Sequence, residues 1–126
     1  MHMITPLKRV RGLGSAHEGA SHFVKQRLTA LANMILIPFA MGLIASLAGA
    51  DLATVKATIA NPIIAVALIA LILSTTVHMR IGMQVIVEDY VHEEGTKIVL
   101  LAANTLFTWA LAAVAIFAVL KLSFGG

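Results

Sequence analysis

The sequence predicts an all-α integral membrane protein with three transmembrane helices. Three observations carry that prediction. The 126 residues are 60% hydrophobic and only 12% charged, about half the charged fraction of an ordinary soluble domain, and the mean hydropathy is +0.95. Three apolar runs are each long enough for a hydrocarbon core of roughly 30 Å. The cationic residues are also unevenly placed. Lys8, Arg9, Arg11, Lys25, Arg27, Arg80 and Lys97 fall on one side of the expected membrane, and Lys56 and Lys121 on the other. That bias predicts a cytoplasmic N-terminus and a periplasmic C-terminus.

The net charge of +3 follows from this flanking, so lipid is the expected partner of the basic residues and nucleic acid is not needed. The chain has no cysteine, which excludes a disulfide framework and thiolate-held clusters within it. Residues 1–26 lack the apolar run and small-residue cleavage site of a signal peptide. The first apolar run is therefore expected to act as the insertion signal.

The whole chain, 1–126, reads as one membrane-anchor domain. Residues 1–26 form a cytoplasmic arm in which Gly12, Gly14 and Gly19 make a loop. Lys8, Arg9 and Arg11 read as a topology signal ahead of a docking surface for a peripheral partner. His17 and His22 lack a regular ligand spacing and read as surface residues. The first span is expected at about 27–48, with Arg27 snorkelling at its entrance and a kink at Pro38. Gly42, Ser46 and Gly49 form a small-residue row suited to close packing.

Leu52, Val55 and Ile59 then recur at helical spacing, which predicts a short interfacial helix. Asn61-Pro62 reads as the cap and first position of a second span over 62–91. A continuous helix of that length is roughly 45 Å long and projects beyond the hydrocarbon. In the next connection Gly95 is the expected breaker and Thr96 the expected cap of a third span over 97–120. Asn104, Thr105 and Thr108 place hydrogen-bonding groups in its first third, and alanines fill the rest.

The second span carries the candidate chemistry. At about 100° per residue, His78, Gly82, Val85 and Asp89 share one stripe, with Ser74 and Thr75 close to it. A histidine inside a membrane span is a functional-site candidate, and the small Gly82 one turn on leaves room for a flat cofactor. Imidazole suits haem iron. His78 is the one histidine within the spans, so a bis-histidine haem needs its second ligand from another chain. The competing reading is a three-helix structural or transport protein in which His78 bonds a neighbouring helix or relays protons.

Asp89 and Tyr90 sit where the span reaches the membrane surface. A tyrosine hydroxyl can donate to a quinone carbonyl beside a proton-relaying carboxylate; the alternative is an interfacial aromatic anchor beside a helix-end charge. Arg80 points nearly opposite His78 and reads as a snorkelling anchor. Glu88, Asp89, Glu93 and Glu94 lack a regular ligand spacing and read as a solvated acidic turn.

The run His78-Met79-Arg80-Ile81-Gly82-Met83-Gln84-Val85-Ile86-Val87-Glu88-Asp89-Tyr90 resembles the second-helix signature of the succinate dehydrogenase (respiratory complex II) hydrophobic membrane-anchor family. That signature is a histidine, a glycine four residues on, and Asp-Tyr beginning eleven residues on. The resemblance extends over roughly residues 15–121, with an arginine, Arg27, opening the first span. It implies a haem b ligated by His78 and by a histidine of a second membrane-anchor subunit, with Gly82 beside the ring and Arg27 near the propionates. It also implies a ubiquinone site in which Tyr90 bonds a quinone carbonyl and Asp89 supports it. The implied partners are that second anchor, an iron-sulfur subunit and a flavoprotein subunit, at a bacterial inner membrane. Succinate oxidation itself belongs to those other subunits, because no flavin or dicarboxylate motif is visible here. The anchor of a fumarate reductase is the related alternative.

Overall fold

The computed structural model of the chain describes residues 5–7 and 15–125. The expectations for Lys8, Arg9, Arg11, Gly12 and Gly14, and for the His17 side chain, lie outside the described residues. Four helices follow in order: α1 (Ser15–Leu47), α2 (Leu52–Ile59), α3 (Pro62–Tyr90) and α4 (Glu94–Ser123). Three stretches are long and apolar enough to cross a membrane: Gly19–Leu47, Pro62–Tyr90 and Glu94–Ser123. They make the chain a three-span integral membrane protein.

α1 begins well before the expected 27–48 span, and Gly19 lies inside it rather than in a loop. Its first turns carry Ala16, Glu18, Ala20, Lys25 and Gln26, all good helix formers, against which one glycine costs only about 1 kcal/mol. The helix runs on past Pro38, where the missing N–H leaves the Met34 carbonyl without its helical donor. Gly49 ends the helix rather than joining a packing row. Its φ is +80°, and the Ala50 amide donates to the Leu47 carbonyl at 3.0 Å. Gly42 has nothing within 4 Å of a Cβ position, so the small-residue face of α1 has no neighbour among the described residues.

The expected interfacial helix is α2, capped by Asp51, whose side chain accepts from the Thr54 amide at 3.2 Å. Hydrogen bonds from the Thr54 side chain and backbone hold the Asp51 carboxyl below its ordinary value. α3 starts as the sequence predicts: Asn61 accepts from the Ile63 amide at 2.9 Å, and Pro62 opens the first turn. α4 starts earlier than the expected 97. Its cap is Glu93, not Thr96. The Glu93 carboxylate accepts from the Gly95 amide at 2.8 Å and the Thr96 amide at 2.6 Å, and from the Thr96 hydroxyl as well. A carboxylate can serve three donors at once, which a threonine hydroxyl cannot. Gly95 and Thr96 therefore lie within the first turn of the helix.

α3 is the central element and packs on both α1 and α4, while α2 rests against α4 and α3. The most buried residues lie on α3 and α4: Thr76, Ile81, Thr108 and Ala112. Asn104 Nδ2 of α4 donates to the Arg80 carbonyl of α3 at 3.0 Å. The buried hydroxyls of Thr76 and Thr108 donate back to carbonyls of their own helices at 2.6 and 2.8 Å. That satisfies them without water, as a lipid environment requires.

Candidate functional site between α1 and α3

Within its apolar run α1 carries Gln26, Thr29 and Asn33 at spacings of three and four residues, which puts them on one face. Opposite them α3 presents Ser74, His78 and Gly82, and the two helices run antiparallel. Ser74 Oγ donates to the Thr29 carbonyl at 3.1 Å. The Thr29 hydroxyl lies 3.2 Å from His78 Nδ1. A methyl built on Gly82 would stand 3.6 Å from Gln26 Nε2, so the space expected for a cofactor beside Gly82 faces the Gln26 carboxamide on this side. Ser74, His78 and Gly82 are each half-buried.

Beside this seam lies a groove of about 430 Å³, lined by Ala30, Asn33, Met34, Ile37, Pro38 and His78. Its wall is apolar apart from the imidazole and the Asn33 carboxamide. Asn33 is only 8% exposed, yet its Oδ1 has no hydrogen-bond partner among the described residues. A buried acceptor left unpaired is unfavourable by about 1–3 kcal/mol. A groove with an imidazole and an unpaired acceptor in an otherwise apolar wall has room for a flat ligand at His78.

The upper part of the predicted stripe leaves α1. Val85 is 48% exposed and Tyr90 78%, and Asp89 is exposed as well. Neighbouring Glu88 accepts from Gln84 Nε2 at 2.8 Å. Tyr90 lies twelve residues beyond His78, roughly 18 Å along the helix, so the two are separate sites on one element. Arg27 is exposed, and its guanidinium stacks 5.1 Å over the Phe23 ring of its own helix. It is turned about 200° from Thr29 around α1, and the chain by itself does not bring it to His78. Arg80, expected as a snorkelling anchor, is half-buried, with an Nε that has no partner among the described residues. Among the described residues no three histidine, aspartate or glutamate side chains converge.

Thr29, Asn33 and Gln26 do not stand out in the sequence as site residues. Their signal is nonetheless present: three polar residues at helical spacing in an apolar run, where each polar group calls for a partner.

A family model described as succinate dehydrogenase/fumarate reductase transmembrane subunit matches residues 1–120. The succinate dehydrogenase hydrophobic membrane anchor subunit of Paracoccus denitrificans is 30% identical over 125 residues, covering 99% of this chain and 96% of that protein. The subunit of the same name from Rickettsia bellii (strain RML369-C) is 25% identical over 100 residues, covering 79% and 80%. No solved structure matches the chain.

Proposed function

The chain belongs to the succinate dehydrogenase/fumarate reductase transmembrane subunit family, and from that premise we propose that it anchors a succinate dehydrogenase in a bacterial inner membrane, ligates haem b through His78, and contributes Tyr90 and Asp89 to a ubiquinone site. The succinate direction is preferred to fumarate reduction because both curated relatives carry the succinate dehydrogenase name. The partners of this reading are a second membrane anchor, which supplies the other axial histidine, and iron-sulfur and flavoprotein subunits docked on the cytoplasmic face. The Lys and Arg bias supports a cytoplasmic N-terminus and Asp89-Tyr90 end.

The observation that carries the haem assignment is the position of His78, tied at one ring nitrogen to Thr29 and standing in the wall of the α1–α3 groove. Haem b held there supplies a one-electron centre inside the membrane. The chain's own residues do the rest. His78 offers a nitrogen lone pair, Ala30, Ile37 and Pro38 give an apolar wall, and Asn33 offers an unpaired acceptor. Gly82 leaves the α3 backbone bare one turn from the ligand. Arg27, exposed near the entrance of the first span, would be the cation for the propionates. At the end of α3 the Tyr90 hydroxyl donates to a quinone carbonyl, while Asp89 beside it supports protonation or orients Tyr90.

The test is the reduced-minus-oxidised spectrum of the purified complex carrying His78→Ala or His78→Tyr. Loss or shift of the b-type band is the expected result. An unchanged bis-histidine spectrum in both variants removes His78 from the haem.

A further inference from the structure

The Thr29 hydroxyl has one proton and three neighbours. Two are carbonyl oxygens of its own helix, Lys25 O at 2.8 Å and Gln26 O at 3.2 Å. The third is His78 Nδ1 on α3, at 3.2 Å. A carbonyl only accepts, so the short contact to Lys25 O takes the hydroxyl proton. What Thr29 then presents to the imidazole is a lone pair. With the hydroxyl proton on the nearer acceptor, Lys25 O, His78 supplies the hydrogen of that bond and carries its ring proton on Nδ1. In a neutral imidazole the other nitrogen, Nε2, is left with a free lone pair.

We propose that Thr29 is the positioning residue of the haem ligand: it selects the Nδ1–H tautomer of His78, aims Nε2 outward for iron, and sets how strongly the ring donates. The proposal rests on the assignment of His78 as an axial ligand. Two features suit Thr29 to this role. Its backbone is held to α3 independently, through Ser74 Oγ on the Thr29 carbonyl at 3.1 Å, so the two helices are tied at this point by a second bond. Its hydroxyl is also pinned in rotation by its own helix, which makes it a fixed acceptor and not a free rotor. Partners of this kind orient metal-ligating histidines and raise their basicity, and removing one typically lowers metal affinity about 10–100-fold.

The experiment compares Thr29→Val, Thr29→Ala and Thr29→Ser in the assembled complex, reading haem per complex and haem midpoint potential. Valine keeps the shape and lacks the acceptor; serine keeps the acceptor. Without it the ring donates less to ferric iron, so Val and Ala should retain less haem and raise the potential, with a tenfold change in relative affinity reading as about 59 mV for a one-electron couple. Ser should restore both values. Wild-type haem content and potential in Val and Ala would overturn the proposal. So would a Ser variant shifted as far as Val, because bulk and not the hydroxyl would then be responsible. If neither Val nor Ala assembles, infrared redox difference spectra of the wild-type complex with 15N-histidine decide instead. Ring modes of a hydrogen-bonded Nδ1–H that vanish in His78→Tyr support the tautomer, and their absence overturns it. His78→Ala keeps the two readings apart. If it loses the b-type band while the Thr29 variants are normal, only the Thr29 role fails; if it keeps the band, the haem assignment fails.

Discussion

At the scale of single residues, the two sites on α3 call for different tests. Tyr90→Phe keeps the ring and removes one neutral donor. Quinone reduction should weaken by roughly 1 kcal/mol, or several-fold. Succinate oxidation with an artificial acceptor that draws electrons ahead of the quinone should stay normal; equal loss in both assays would assign Tyr90 to assembly. At Gly82 an added methyl meets Gln26 Nε2 at an ordinary 3.6 Å, so Gly82→Ala should keep haem content. Gly82→Leu should lower it, by filling the space next to His78; unchanged pigment in the Leu variant would take Gly82 out of the site. His78 was legible in the sequence because an imidazole in an apolar span is costly unless a ligand or a polar neighbour engages it. Its partner Thr29 was not. Spacing along one helix fixes which residues share a face, but it says nothing of how the facing helix is rotated. The 3.2 Å contact across 49 positions is a tertiary fact. The same gap hid Gln26, whose carboxamide borders the space beside Gly82.

At the scale of elements, helix existence and order were legible from hydropathy, and the ends were less so. Asn61-Pro62 was readable because that pair has one dominant use. Glu93 was missed because it stands among other acidic residues, and only its contacts separate a cap from a solvated charge. Those contacts carry a pH prediction. Hydrogen bonds from the Thr96 side chain, then from the Thr96 and Gly95 backbone, lower the Glu93 carboxyl below its ordinary 4.5. The folded value is the lower one, so the stabilisation is present above about pH 4.5 and is lost as pH falls through the folded value. Amide exchange at Gly95 and Thr96, corrected for the intrinsic pH effect, should accelerate on acidification. In Glu93→Gln that step should vanish; a persisting step would place the titrating group elsewhere. At the other end of the chain's first connection, Gly49 has a φ of +80°. Gly49→Ala should destabilise the chain by about 1 kcal/mol, visible as a lower midpoint in a detergent-denaturation titration, whereas Ala in place of the unencumbered Gly42 should not.

At the scale of the whole molecule, the accessible surface is 9110 Å², where a soluble monomer of this mass would show about 6,500 Å². Large apolar and aromatic side chains are among the exposed ones: Ile35 on α1, Leu106 on α4 and Tyr90 on α3 are all more than 70% exposed. Lipid and partner subunits must cover what the chain leaves open, which suits an anchor better than a self-contained transporter. The orientation can be checked on the same scale. Single cysteines at His92 and Phe124, both exposed, should label from the cytoplasmic and the opposite side respectively. The reverse pattern would invert the topology and move the quinone site with it.

The central placement of α3 has a consequence for biosynthesis. α1 leaves the ribosome first, and its polar face, with Thr29 and Asn33, has no helix to meet until α3 has been made. Within this chain, Thr29 finds its partners Ser74 and His78 only once α3 has been made. α4, made last, meets α3 through Asn104 at the Arg80 carbonyl. A nascent chain arrested once α3 has emerged already contains every residue of the Thr29–His78 contact.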